Sequence, residues 1–239
     1  MQKRGIKLES FTIKTGVKGD TTRQNIEKVI NHFKIDNHFF VDISQKKQNN
    51  PKVLAVTGKP TATMAVYKKC KEANVLPCGK ICNSMIDATY SDVMEERGYT
   101  ELFTGGDTPK IREDGKYSLS WKKPSGITII RGGYAFNTNK EKNRQFIEKN
   151  NIPWTNPDCG GYDTDCLIPG VFFYNALGGE RNISIKDSIQ KFPIILEYLA
   201  ERVRFGIIER EDGLRMLTDI DIACPSCCTE LDKIFENVN

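Results

Sequence analysis

The feature that most constrains this chain is a recurring order along it: a short β-prone run, a turn rich in glycine and threonine, then an amphipathic helix. Ser10 to Ile13 is the first such run, Thr15 to Asp20 the turn, and Thr22 to Phe33 a helix with Ile26, Val29, Ile30 and Phe33 at helical spacing. A strand from His38 to Ile43 follows, with Asp42 near its end. The polar linker Ser44 to Asn50 and a second expected strand, Lys52 to Val56, lead to a turn at Thr57 to Pro60. Helices are then expected from Thr61 to Glu72 and, after Pro77, from Cys78 or Cys82 to Arg97, where Gly98 stops the second. Strands at Glu101 to Thr104 and Ile127 to Arg131 flank an ambiguous stretch, and Lys140 to Asn150 reads as a polar helix. Strands alternating with helices predict an α/β fold with a mainly parallel, doubly wound, Rossmann-like sheet. Ile185 to Leu217 reads as two helical pieces around Gly206 and Gly213, followed by a cysteine cluster and an amphipathic tail. The expected organisation is an α/β domain over 1–175 and a C-terminal helical segment over 176–239.

A chain of 239 residues with 38% hydrophobic and 28% charged residues can bury a core and is not of disordered composition. Its net charge is only +4, but Lys46, Lys47, Lys68, Lys69, Lys71, Lys122 and Lys123 fall in clusters. That pattern permits a polyanionic partner and is equally the pattern of solvated surface lysines. The start, MQKRGIKLES, lacks the apolar stretch of a secretory signal, and no run approaches the roughly 18 apolar residues of a membrane span, so a cytoplasmic protein with no membrane partner is expected. The eight cysteines, in a reducing compartment, then read as metal ligands or reactive groups rather than disulfides.

In an open α/β sheet, ligands sit beyond the carboxyl ends of the strands. Three loops rich in glycine and threonine should therefore converge: Thr15 to Thr22, Thr57 to Thr61, and Thr104 to Thr108. Glycine lets backbone N–H groups approach phosphate oxygens, threonine adds hydroxyl donors, and a following helix start adds partial positive charge. Asp20 and Asp107 are the carboxylates suited to a Mg²⁺ ion beside phosphate; both are also ordinary turn residues. Arg131, after the strand ITII, is a further candidate for neutralising phosphate. Cys70, within a helix, reads as a small apolar side chain, and Trp121 and Trp154 read as packing residues. Cys224, Cys227 and Cys228 form a CxxCC group compatible with half a zinc site, with cluster ligands or with a redox dithiol.

TGVKGDTT, Thr15 to Thr22, between strand and helix, resembles a divergent form of the SGGxDS loop of PP-loop ATP pyrophosphatases, with one extra residue and Val17 where glycine is expected. TGKPTAT, Thr57 to Thr63, is a competing placement that lacks the aspartate. LPCGKICNSMIDATYSDVMEERGYTELFTGGDTP, Leu76 to Pro109, resembles that superfamily's cysteine-bearing helix with the strand and loop after it, nearest to the tRNA 2-thiouridine and 2-thiocytidine synthetases. IPWTNPDCGGYDTDCLIPG, Ile152 to Gly170, resembles the region carrying their later cysteine, matched by Cys166. Cys78 and Cys82, spaced by three residues, would share one helix face.

The resemblance, covering roughly Phe11 to Gly170, implies a HUP-type sheet and an ATP-dependent sulfurtransferase that adenylates a substrate carbonyl and then delivers sulfur. It implies a nucleotide site at Thr15, Gly16, Lys18, Gly19, Asp20, Thr21 and Thr22 with Thr104, Gly105, Gly106 and Asp107. It also implies catalytic roles for Cys78, Cys166 and Asp20. Metal ligation is expected at Cys78, Cys82 and Cys166, as an iron-sulfur cluster, with Cys224 and Cys227 as further ligands and zinc as the alternative metal; Cys159 is weighed evenly between ligand and loop residue. The implied partners are ATP with Mg²⁺, tRNA, and a sulfur donor protein or sulfide, and a homodimer is compatible with the chain. Two alternatives stand beside this one: an enzyme resembling the adenylylsulfate and phosphoadenylylsulfate reductases, favoured by the C-terminal CPSCC, and a metal-stabilised nucleotide-binding module without catalysis, favoured by Val17.

Overall fold

A parallel strand pair organises the start of the computed structural model, which describes residues 8–155 except 107 and 139, then 166–168, 171, 184, 186–187, 190, 193–206, 208–218 and 225–238. β1 (Ser10–Lys14), α1 (Asp20–Phe33) and β2 (His38–Asp42) form a βαβ unit whose register runs from Ser10 opposite His38 to Lys14 opposite Asp42. Both strands therefore end at the same edge, and Phe11 and Phe39 stack across them with centroids 5.5 Å apart. Helix α1 starts after Gly19, which has no side chain to cap the first turn, and ends where Lys34 turns left-handed at φ 51°.

The expected strand Lys52 to Val56 is instead part of a helix, α2 (Pro51–Thr57). The local chemistry explains the reversal. Asn50 accepts from Val53 N at 3.1 Å, Pro51 occupies the first helical position, and Gly58 closes the end at φ 68°. A complete set of caps outweighs a short apolar run that periodicity alone cannot assign. Gln48 and Thr61 belong to a two-residue antiparallel pairing, β3 (Lys47–Gln48) with β4 (Thr61–Ala62), inside what read as linker and helix start. The chain continues through α3 (Thr63–Glu72) and α4 (Ile81–Arg97), and Gly98 stops the latter at φ +68°.

After α4 come β5 (Glu101–Thr104), a small hairpin of β6 (Lys110–Ile111) and β7 (Tyr117–Ser118), β8 (Ser120–Lys122), β9 (Thr128–Arg131), α5 (Gly132–Ala135) and α6 (Lys140–Lys149). The C-terminal part supplies α7 (Pro193–Arg204), α8 (Arg210–Thr218) and α9 (Pro225–Glu236). Gly213 lies inside α8 rather than between helices, with Val203 so close that a Cβ would sit 3.1 Å from its Cγ2.

The protein is thus a mixed α/β chain with small sheets. Among the described residues, the expectation of one mainly parallel sheet is met only in the pairs β1–β2 and β5–β9; β8 joins β9 antiparallel, and the β3–β4 and β6–β7 pairs are antiparallel.

Two compact units share the chain, interleaved along it. The first comprises Met1–Ile86, Asn151–Arg181 and Asp221–Asn239; the second, Asp87–Asn150 and Asn182–Ile220. The core of the first gathers Val17, Val53, Met64, Val66, Tyr67, Cys70, Ile81, Met85, Leu167, Ile168, Val171, Leu231 and Phe235. α9 is tied to α3 by Lys71 pairing with Asp232 and by Lys68 Nζ donating to Val238 O at 2.8 Å. The second unit has a smaller core of Met94, Ile127 and Ile129, with Tyr99, Leu102 and Trp121 packed on it. Among the described residues, no helix is long and apolar enough to cross a membrane.

Candidate functional site

Where β1 and β2 end, an open cleft lies between their carboxyl edge and the start of α1. Its walls include Lys14, Thr15, Gly16, Lys18, Gly19, Asp20, Thr22, Arg23 and Asp42. Of the residues expected to hold a nucleotide here, all but Thr21 line the cleft. Gly16 is required at its position for two reasons. Its φ of +88° lies in the left-handed region, and a Cβ would sit 3.0 Å from Ser44 Cβ and 3.1 Å from Met64 Cγ. Val17, the residue standing where the resemblance expects glycine, is 1% exposed in the core of the first unit. The divergence is therefore an anchor: one loop residue is buried, and its neighbours Gly16 and Lys18 stay exposed.

The electrostatics of the cleft are mixed. Lys14, Lys18 and Arg23 bring positive charge, and the uncapped first turn of α1 adds its partial positive end. Asp20 and Asp42 bring carboxylates. Burial works against ionisation of Asp42, yet hydrogen bonds from Ser44, including its N–H at 2.9 Å, and the nearby Lys14 ammonium outweigh it and hold the carboxyl below its ordinary range. Asp20 lies 3.4 Å from Arg23 Nε, and Arg23 also reaches Glu27 at 2.9 Å. Cation, carboxylate and helix start at one sheet edge are the parts a metal-chelated phosphate needs.

The cysteines meet this cleft through the loop itself. Lys18 forms an antiparallel bridge with Cys166, and Leu167 N donates to Val17 O at 3.0 Å. Cys78, Cys82 and Cys166 are all partly buried and pack against the same core cluster. The expectation that Cys78 and Cys82 share a helix face needs correction: Cys78 lies in the turn before α4, and only Cys82 is in the helix. Pro77 O accepts from both Ile81 N and Cys82 N, which starts the helix after Cys78.

Burial pushes the Cys78 thiol strongly up, and neighbouring Cys166 and Cys82 push it further. Cys82 is also raised by burial, but the Tyr67 hydroxyl, donating to its sulfur at 3.2 Å, and the Lys18 ammonium pull it back. Tyr67 itself is held far above its ordinary value, first by burial and then by Cys82. Three thiols, one phenol and one ammonium therefore form a single interacting group at the floor of the cleft loop. Among the described residues, no three His, Cys, Asp or Glu side chains are arranged as a site able to hold a metal ion. The thiols are the right donors for an iron-sulfur cluster or zinc.

The remaining expected residues fall elsewhere. Thr104, Gly105 and Gly106 belong to the second unit and do not line this cleft. Asp107, Cys159 and Cys224 lie outside the described residues, as does the side chain of Cys227. Thr57 donates to Val53 O at 2.9 Å as an α2 residue, so the competing loop Thr57 to Thr63 is a helix end and a short strand. Cys70 is fully buried, as a small apolar side chain should be. Trp154, expected to pack, is instead 42% exposed. Sequence reasoning missed Lys14, Arg23, Asp42 and Tyr67 as site residues. Position alone could have found Asp42, the last residue of the second parallel strand; Tyr67 carries no motif, because its approach to Cys82 depends on how α3 and α4 pack.

No protein-family profile matches the chain, and no solved structure matches it. A stretch of 144 residues is 26% identical to an uncharacterized protein of the archaeon Methanocaldococcus jannaschii, covering 59% of this chain and 44% of that protein. The alignment thus spans less than half of its relative.

Proposed function

We propose that this chain is an ATP-dependent sulfurtransferase of PP-loop type, using a cysteine persulfide rather than a bound cluster. One observation carries the reading: Lys18 lines the cleft and at the same time bridges to Cys166 and favours the Cys82 thiolate. A nucleotide phosphate and the reactive sulfurs would then meet at one loop. The β1–α1–β2 unit is the piece of a doubly wound sheet that this reading requires, and the rest of such a sheet belongs to the same proposal.

A substrate carbonyl oxygen attacks the α-phosphorus of ATP, pyrophosphate leaves with Lys14, Lys18 and Arg23 offsetting its charge, and an adenylate forms. The terminal sulfur of a persulfide on Cys166 or Cys78, supplied by an external persulfide donor, attacks the activated carbon. A C–S bond forms and the C–O bond to AMP breaks. The second cysteine, as thiolate, attacks the inner sulfur; the S–S bond breaks, the thiocarbonyl product departs, and a disulfide remains for an external dithiol to reduce. Asp20, at the cleft mouth, is the carboxylate assigned to Mg²⁺. A tRNA base is the substrate class this reading names, in a cytoplasmic setting.

The test is pyrophosphate release from ATP with bulk tRNA and a persulfide donor, alongside thiolation of the recovered tRNA. Release and thiolation by the wild type, thiolation lost but release kept in Cys166→Ala, and both lost in Lys18→Met are expected. Nucleotide binding with neither reaction would select the non-catalytic module; reduction of adenylylsulfate by the same preparation would select the reductase.

A further inference from the structure

The second unit has its own sheet edge. β5 and β9 run parallel and end together, with Thr104 opposite Arg131, and each is followed by two glycines: Thr104-Gly105-Gly106 and Arg131-Gly132-Gly133. These glycine pairs interlock. A Cβ on Gly132 would lie 2.9 Å from Thr104 O, and one on Gly133 2.8 Å from both Gly105 O and Gly106 O. Tyr134 N donates to Gly106 O at 2.9 Å, which fixes the loop against the start of α5. A Cβ on Gly106 would run into the Arg131 guanidinium, so only glycine leaves that group its place.

Arg131 is held on its other side by an indole. Its guanidinium carbon lies 5.5 Å from the centroid of the Trp121 ring, and Lys110 Nζ lies 4.8 Å from the same centroid. Two cations thus lie against one aromatic ring. Arg131 Nε is buried without a hydrogen-bond partner among the described residues. A buried guanidinium donor is seldom left unpaired, because its desolvation then goes unrecovered. An anion at the carboxyl edge of β5 and β9 would supply that partner and neutralise both cations.

We infer that Arg131, Lys110 and Trp121, closed by the Gly105–Gly106 loop, form a phosphate-ester site on the second unit. Two positive groups, one of them a guanidinium fork, suit a phosphate, whose non-bridging oxygens can accept from both. The phosphate can come from a free nucleotide or from a polynucleotide backbone. The site does not depend on the proposed sulfurtransferase activity, since none of its residues belongs to the cleft.

The chain's two tryptophans make a direct test available. In a Trp154→Phe background, Trp121 is the single indole, and its emission is followed during titration with inorganic phosphate, with AMP, with a short single-stranded RNA, and with acetate at matched ionic strength. Saturable quenching by at least one phosphate-bearing probe, weakened about tenfold or more in Lys110→Gln and in Arg131→Gln, is the expected result. Lys110 is exposed, so its variant keeps the fold and tests the site even where Arg131→Gln loses structure. RNA binding much tighter than AMP would name a polynucleotide as the source; equal binding would name a mononucleotide. No saturable response to any phosphate probe, acetate binding as tightly as phosphate, or undiminished affinity in Lys110→Gln would overturn the inference. Lys18→Met serves as the control that separates the two sites, and is expected to leave the Trp121 response unchanged.

Discussion

Replacing Gly16 by alanine puts a number on how tightly the cleft loop is built. Two costs add. A residue with a Cβ at φ +88° carries backbone strain of about 1–3 kcal/mol. The new methyl would also stand 3.0 Å from Ser44 Cβ and 3.1 Å from Met64 Cγ, and closer to Met64 Sδ, an overpacking of about 1–3 kcal/mol. The flexible end of Met64 can yield, which puts the sum near the lower half, about 2–4 kcal/mol. For a chain of this size each kcal/mol lowers the melting midpoint by about 2–4 °C, so a fall of about 4–16 °C is expected. Gly58→Ala isolates the backbone part. Gly58 has φ +68° and nothing within 4 Å of its would-be Cβ, so only about 1–2 kcal/mol is lost. Both variants are compared by thermal and urea unfolding followed by circular dichroism. Equal destabilisation by the two, to within about 0.5 kcal/mol, would refute the close packing of the loop onto Met64 and Ser44.

Four further outcomes are expected. Asn25→Ala removes a side chain 2% exposed that donates to Thr155 O at 2.6 Å and accepts from Thr155 N at 3.0 Å; leaving that backbone unpaired should cost about 1–3 kcal/mol in urea unfolding. Asn50→Ala deletes the cap of α2 and should cost about 1 kcal/mol by the same measurement. Tyr67→Phe removes the hydroxyl that favours the Cys82 thiolate, so alkylation of Cys82 near pH 8, read by mass spectrometry, should slow; an unchanged rate would contradict the hydrogen bond. Burial pushes the Cys70 thiol from 9.0 up to about 11. The unfolded chain therefore loses this proton first, and folding stability should fall as pH rises through that window. Cys70→Ala should show a shallower fall over the same range.

Much of the secondary structure was legible because the residues that decide it are local. Gly98 ends the helix that the sequence stops there, and the polar helix begins at Lys140 as its composition expects. Lys52 to Val56 misled because a short apolar run has no period of its own and its fate is set by Asn50 and Pro51 just outside it. The cleft was legible at its loop, where glycine and threonine have few other uses. Its second wall was not: Asp42 and Lys14 enter through the pairing of β1 with β2, a long-range fact. Cys78, Cys82 and Cys166 could be grouped only by resemblance. Their meeting depends on the Lys18–Cys166 bridge, and Tyr67 joins them from α3 without any spacing to announce it. The sequence order also hid that the Thr104 loop belongs to a different unit from the Thr15 loop, because the units interleave.

The central claim, a nucleotide held by the β1–α1 loop, is tested most directly by calorimetric titration of ATP with Mg²⁺ into the wild type and into Lys18→Met. The account predicts one saturable site in the wild type and an affinity lowered about tenfold or more when the Lys18 charge is removed. No saturable heat in the wild type, or equal affinity in Lys18→Met, would contradict it.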